Sequence, residues 1–497
     1  MKAQGSVGGR AVAAAVLTAL AYAACLFLLM GGYAIDDSWI HLQFARNLAS
    51  GAGLRFDPAA PPVYACSSPL WVFLLAPAYA AGVGGITAAR LLSSVGAGAC
   101  VFMAWRLACR ADFKPLFRLA LPLFTALDPW MIRWGSSGME SSLAALLVIC
   151  WMIAVVPDRK HPSAAGLAAG LAFLTRPELA FLGVLTPLFT GGGSRRILSG
   201  LLPWAVIVSA WLFTAHTVFG TFLPSAVHAK IQGGSVWKYL LGEIPNLAGA
   251  IAASHGMMLL VLAAGISKTR WSDGNARKAL LPVIVPLALF AVLLAGRAPL
   301  LTRYFLPVLP VLSFAALSLM RTGMLLPKRH IVTFVVCTAG WQAAAWGMGV
   351  RPHMAGMSAN LGVYHEVAWE LGRLTPRGSL IAVHEIGVFG YESGRRLLDL
   401  GGLVSPQVTR FSYPGLTQDA VTSIEFLRSQ GVTHYLDPHG AIEPLMPAQE
   451  RLGVRFIPLG SWDFPGGTSL SGRRSYTRTL YRLDWIVPDP QSSRMGG

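Results

Sequence analysis

Two adjacent carboxylates, Asp36 and Asp37, stand where the first long apolar run gives way to polar residues, in Tyr33-Ala-Ile-Asp36-Asp37-Ser-Trp-Ile-His41-Leu-Gln-Phe-Ala-Arg46-Asn47. Acidic pairs at a membrane boundary are costly to hold and usually functional. A carboxylate can take a proton from a hydroxyl, and two adjacent acids shift each other's pKa. The pair therefore reads as the reacting end of a membrane protein that handles a lipid-linked substrate. The plainer reading is that Asp36 caps a helix starting at Asp37, since Asp is a favoured N-cap. His41, four residues after Asp37, shares its helix face. It could touch a sugar or phosphate, or pack under a loop, whereas Arg46 reads as a residue that holds the loop. Two carboxylates with water would suit a hard divalent cation, but no third acid lies nearby, so chemistry without metal or cofactor is expected.

Other ionisable groups sit among apolar segments: Arg133 and Glu140, Arg176 and Glu178, His228 and Lys230, and Arg303. Arg176 and Glu178 read as partners that satisfy a broken membrane helix. Most Trp and Tyr residues should belong to the interface belt, while Trp39, Tyr64 and Trp71 lie near the acids and could stack on a sugar.

The elements that must position these residues are membrane helices. The chain has 497 residues, of which 54% are hydrophobic and only 13% charged, with mean hydropathy +0.54. A soluble chain would carry about 25% charged residues, so this is an α-helical polytopic membrane protein. The net charge of +17 does not indicate a nucleic-acid partner. Beyond residue 350 there are 14 Lys/Arg against 13 Asp/Glu, and most of the remaining basic residues cluster on alternate loops between apolar segments. That is the positive-inside pattern. The six cysteines form no CxxC or metal-ligand spacing and read as small buried hydrophobes.

Spans are predicted at about 11–32, 86–108, 116–130, 139–156, two short halves within 164–191, and then 198–218, 247–266, 279–296, 304–320 and 330–349. The run 70–81 is too short to cross, and a re-entrant or interfacial placement keeps the basic cluster 106–118 inside. About eleven spans result, with the amino terminus inside and the tail outside. Residues 37–49 repeat apolar residues at helical spacing and end at Gly51 and Gly53, which predicts a short helix lying flat at the interface. Domain limits are placed at 1–350 for the transmembrane catalytic part and 351–497 for a small extracytoplasmic α/β domain. That domain is read as a helix near 361–374, strands near 379–384, 396–400, 433–436, 454–459 and 477–483, a glycine-rich turn after the first strand, and a helix near 417–430.

Several short motifs fall on the predicted outer face in a fixed order. They are Asp36-Asp37, Arg46-Asn47-Leu48-Ala49, Gly51-Ala-Gly53, Ser68-Pro69-Leu70-Trp71, Gly138-Met139-Glu140 and Arg176-Pro177-Glu178. Gly220-Thr-Phe-Leu223-Pro224-Ser225 with Ala229-Lys230, Arg303-Tyr304-Phe-Leu-Pro307, and the tail run Gly387 to Arg395 with Asp399 to Leu403 complete the set. Over nearly the whole chain this pattern resembles the GT-C superfamily of membrane glycosyltransferases, most closely bacterial arabinofuranosyltransferase-type enzymes. Ser225 stands where that pattern has Asn, and Tyr64-Ala-Cys66-Ser67 differs from its Gly-Tyr-Thr-type lead-in.

The resemblance implies inverting transfer of a sugar from a polyprenyl-phosphate donor to a glycan, lipid or protein acceptor at the outer face of a bacterial cytoplasmic membrane. It places the general base at Asp37, with Asp36 tuning it or binding a sugar hydroxyl. Lys230 and Arg303 would stabilise the departing lipid phosphate, although snorkelling is the default for lone basic residues near headgroups. His41, Arg46, Tyr64, Arg133, Glu140, Arg176 and His228 complete the substrate-binding candidates. Two rivals remain. A glycan ligase or polymerase using a pyrophosphate carrier should rely on a long outer loop rich in Arg and His, yet the longest loop, 219–246, has only His228, Lys230 and Lys238. A non-enzymatic transporter or flippase should show repeated halves, and none is evident.

Overall fold

A computed structural model describes residues 8–156, 160–230, 236–268, 278–322, 328–410, 420–438, 440–466 and 475–486. The chain divides into two compact units. The first comprises residues 1–34, 67–222 and 230–354; the second comprises 35–66, 223–229 and 355–497.

The first unit is helical. Seven described helices are long and apolar enough to cross a membrane, and five shorter apolar helices accompany them. The first helix, Gly9–Leu29, is 21 residues long, which at 1.5 Å per residue is about 31 Å, enough for a hydrocarbon core. Its last carbonyls are not left bare, because Arg90 donates from Nη2 to Phe27 O and Met30 O, both at 3.0 Å. A cationic fork at a helix C-terminus satisfies orphan carbonyls and suits the dipole.

Helices Ile86–Arg110, Pro115–Leu127, Ser141–Val155 and Ser194–Phe219 lie where hydropathy places them. The short run after Ser68 is helix Pro69–Ala80, 12 residues or about 18 Å, too short to cross. The two halves expected within 164–191 are helices Pro162–Thr175 and Phe181–Thr190, joined by a 3-10 turn, Pro177–Ala180. Arg176 sits at the break in extended conformation, as a residue before proline favours.

Two stretches differ from expectation. Helix Val236–Lys268 is 33 residues long and takes in part of what reads as loop, residues 236–246. Its first turns carry Trp237, Tyr239 and Leu241. Tyr239 donates its hydroxyl to Ala298 O at 2.7 Å, and Glu243 accepts from Leu300 N at 2.8 Å, so polar residues that read as loop are held in the helix. Likewise helix Lys328–Ala345 does not end near residue 349. It passes through one π-helical turn, Trp346–Val350, into helix Arg351–Leu374, which begins ten residues ahead of the amphipathic pattern.

The second unit is built on a five-stranded mixed sheet. β1 (Leu380–Val383), β2 (Arg396–Asp399), β3 (His434–Asp437), β4 (Val454–Phe464) and β5 (Tyr476–Trp485) lie in the order β2-β1-β3-β5-β4. β1 runs parallel to β2 and β3, and β5 is antiparallel to β3 and β4. Parallel neighbours need crossovers, supplied here by helices Gly387–Glu392 and Ala420–Ser429. Ala382, Leu398, Ile424, Leu427, Val432, Tyr435, Phe456 and Leu483 form the core on one face.

The 387–392 segment reads as a glycine-rich turn, and it is a helix instead. Its glycines serve close approach rather than turning. A Cβ on Gly387 would lie 2.0 Å from Asp36 O, and one on Gly390 would lie 2.4 Å from the Phe56 ring.

Candidate functional site

The acidic pair opens helix Asp36–Ala49, whose N-cap is Ile35 with no side-chain capping bond. Asp36 therefore does not cap its own helix. Its Oδ1 accepts from Val388 N at 2.8 Å and its Oδ2 from Gly387 N at 3.0 Å, the first amides of the crossover helix after β1. Burial pushes the Asp36 carboxyl up to about 7. The Val388 and Gly387 amides pull it down, and the neighbouring Asp37 and Glu385 carboxylates push it further up.

The acidic helix does not present one open face, as a helix lying flat at an interface would. Ser38 through Ala45 and Asn47 are all buried. The reason is its partners inside the second unit. Gln43 Nε2 donates to Phe56 O at 2.8 Å, and Asn47 Nδ2 donates to Arg55 O at 2.8 Å and to Phe56 O at 2.9 Å, so these amides fasten the returning loop. Arg46 reaches further than a loop holder would. Its Nη1 donates to Tyr391 O at 3.1 Å, its guanidinium lies 4.3 Å from the Tyr391 ring centroid, and its Nη2 bonds Gln43 Oε1.

His41 is buried, with Nδ1 3.8 Å from Cys66 Sγ. Trp39, Tyr64 and Trp71 are 3%, 2% and 1% exposed. Trp39 meets His365 edge-on at 5.1 Å, and Trp71 Nε1 donates to Gly138 O at 3.3 Å. Ser225 takes the place of an amide side chain economically. Its N–H and Oγ both donate to Tyr64 O, at 2.8 and 3.0 Å, and its Oγ also contacts Leu403 O. His228 and Lys230 end the short helix Ser225–Lys230, and their side chains lie outside the described residues.

In the first unit Arg176 is buried and ion-paired on two sides. Its Nη2 lies 2.6 Å from Glu140 Oε1, its Nη1 3.0 Å from Glu178 Oε1, and its Nη2 donates to Ser141 Oγ at 3.1 Å. Its pairing within Arg176-Pro177-Glu178 is legible in sequence, but the tighter contact is with Glu140, 36 residues upstream. Arg303 is buried beside it: the Arg176 and Arg303 guanidinium carbons lie 4.9 and 5.4 Å from the Tyr304 ring centroid. Arg133 has partners of its own within the first unit. Its Nε donates to the Tyr33 hydroxyl at 2.9 Å, and its guanidinium packs 4.5 Å from the Trp134 ring.

Sequence reasoning missed the acids at the carboxyl ends of the parallel strands. Glu385 follows β1 and holds the buried Arg478 two-pronged, with Arg478 Nη2 donating to Oε1 at 2.7 Å and Nη1 bonding Oε2. Tyr364, Phe464 and Tyr476 surround that guanidinium at 5.0 to 5.4 Å. Asp399, ending β2, accepts from Gly401 N and Val404 N, both at 2.8 Å; Asp437, ending β3, accepts from Ala441 N and Ile442 N. The available signal was topological, because open α/β sheets place their binding edge outside the carboxyl ends of parallel strands.

The arrangement matches solved membrane proteins. ArnT from Cupriavidus metallidurans bound to undecaprenyl phosphate superposes with a TM-score of 0.59 at 17% identity, covering 94% of this chain and 97% of that one. This is the GT-C fold. ArnT in the apo state gives 0.58 at 16% identity, over 95% of this chain and 98% of that one. The arabinofuranosyltransferase AftD from Mycobacteria gives 0.55 at 13% identity over 96% of this chain, which spans 42% of AftD. The GT-C resemblance carried by the motifs thus has its counterpart in the backbone, and the chain is a multi-pass membrane protein of that fold. Residues 354–476 match a domain of unknown function, DUF8728. No curated protein matches the chain in sequence.

Proposed function

We propose that this GT-C chain is a glycosyltransferase that moves a sugar, with inversion, from a polyprenyl-phosphate donor to a glycan, lipid or protein acceptor. It would act at the outer face of a bacterial cytoplasmic membrane, with the C-terminal domain on that face. The observation that carries the reading is the fold likeness to ArnT, bound there to undecaprenyl phosphate, over 94% of the chain. The charge asymmetry of the loops supports the orientation.

Transfer needs two things. The acceptor hydroxyl must lose its proton as it attacks the anomeric carbon, and the bond from that carbon to the phosphate oxygen must break with both electrons leaving on the lipid phosphate. Asp37 takes the first role as general base, from the first turn of helix Asp36–Ala49. Arg303 and Lys230 take the second, meeting charge that grows on the phosphate oxygens. Arg176, held by Glu140 and Glu178, contributes fixed polarity rather than a mobile contact. The proton released by the acceptor is taken up by Asp37, while the acceptor oxygen's electron pair forms the new bond as the phosphate oxygen leaves with the old one.

The test is transfer in liposomes from a panel of radiolabelled polyprenyl-phosphate sugars. Label reaching an extractable acceptor from one donor supports the reading. Turnover only of pyrophosphate-linked glycans would replace it with the ligase reading, and translocation of lipid without transfer would replace it with the flippase reading.

A further inference from the structure

The acidic helix and the C-terminal domain belong to one compact unit although more than 300 residues separate them in sequence. Three contacts tie the upstream segments to the tail. Asp36 receives the Gly387 and Val388 amides at 3.0 and 2.8 Å. Arg46 grips Tyr391 by its carbonyl and its ring. Ser225 bonds Tyr64 O through its N–H and Leu403 O through its Oγ.

The contact is fitted as well as bonded. The absence of a side chain at Gly387 and at Gly390 is what allows the crossover helix to lie flush on Asp36 and Phe56. The docking point is also the carboxyl edge of β1, where a sheet of this type offers converging backbone N–H groups. In this chain those amides are spent on one of its own carboxylates.

We infer that the C-terminal domain is a positioning element for the transfer reaction, with Asp36 as the positioning residue through which it fixes the adjacent Asp37. This rests on the assignment of Asp37 as base. It divides the acidic pair: one carboxylate is anchored by two amides from the far end of the chain, and the next one in sequence does the chemistry. A misplacement of about 1 Å in such a group costs about 100-fold in rate, so the anchor contributes to turnover without touching substrate. It also gives the domain matched at residues 354–476 a role that does not require it to bind anything but its own chain.

The test uses the full-length protein in liposomes, with Asp36→Ala, Asp36→Asn, Gly387→Ala and Asp37→Asn. Hydrogen exchange reads the anchor independently of any activity. The Gly387 and Val388 amides should exchange about tenfold faster or more in Asp36→Ala than in the wild type. Transfer should fall about 100-fold in kcat in Asp36→Ala and in Gly387→Ala, with the donor KM within about twofold. Asp36→Asn keeps one acceptor oxygen and should recover most of that loss, whereas Asp37→Asn should not transfer.

Unchanged exchange in Asp36→Ala would overturn the inference. So would Asp36→Asn being as inactive as Asp37→Asn, because Asp36 would then be doing chemistry itself. Should Asp36→Ala misfold, Asp36→Asn decides on the same criterion. If the wild type moves no sugar from any donor, the proposed function fails while the exchange comparison still decides the anchor.

Discussion

Arg176 Nη2 and Glu140 Oε1 lie 2.6 Å apart with both side chains about 5% exposed, an ion pair closed off from water inside the membrane unit. Burying a charge unpaired is costly, and Arg176 is paired on two sides, with Glu140 and with Glu178. Arg176 stands at the break between two short helices, where the proline at 177 removes a backbone donor. The guanidinium thus supplies hydrogen bonds just where the helical ladder stops.

Removing one partner should therefore be costly. Arg176→Met leaves Glu140 and Glu178 facing a desolvated gap, and the expected loss is about 3–5 kcal/mol. Thermal unfolding in detergent should show a clear fall in Tm, partly recovered in Arg176→Met combined with Glu140→Gln. Equal stability of Arg176→Met and wild type would remove the pair from the account of the fold.

The Asp36 carboxyl gives a pH dependence of definite sign. Its folded pKa is raised from 3.8 to about 7, first by burial and then by Asp37 and Glu385, against the pull of the Val388 and Gly387 amides. Above 3.8 the folded state holds this proton more tightly than the unfolded chain does. Stability from this group is therefore greatest at low pH and is lost as pH rises through about 7. Comparing wild type with Asp36→Asn isolates the effect: between pH 4 and 7.5 the wild type should lose stability relative to the variant. A difference that stays flat would show that Asp36 is not held as described.

Much of this fold is legible in the sequence alone. Hydropathy locates the spans because lipid leaves a helix no other way to satisfy its backbone. Short apolar runs between turn residues locate all five strands. The helix at 387–392 is not legible, because Gly387 and Gly390 read as turn residues. Only the nearness of Asp36 and Phe56 explains them, and nothing local in the sequence encodes it. The same holds for Glu140 with Arg176 and for Arg90 on the carbonyls of Phe27 and Met30. Long-range pairs of charged and polar groups carry no periodic signal.

Arg303, packed on Tyr304 with Arg176, is assigned to the leaving phosphate. Arg303→Gln keeps much of the side-chain length and removes the charge. The expected result is a fall in kcat of about 100-fold, larger than the change in donor KM, measured by initial rates at varied donor. A rate within twofold of wild type would return Arg303 to a packing role.

Metal-independent chemistry is proposed because both Asp36 oxygens already accept backbone hydrogen bonds, which leaves the acidic pair a poor cage for a hard cation. Transfer in liposomes should be unaffected by excess EDTA. Loss on chelation with recovery on added Mg²⁺ or Ca²⁺ would place a cation at the acids and recast Asp37 as a ligand.

The central claim is that Asp37 removes the acceptor proton. The most direct measurement is single-turnover transfer from a polyprenyl-phosphate sugar with wild-type and Asp37→Asn protein, matched for thermal unfolding profile and donor binding. The account predicts unchanged donor binding and a rate at least about 1000-fold lower in the variant. A rate close to wild type in a well-folded Asp37→Asn protein would contradict it.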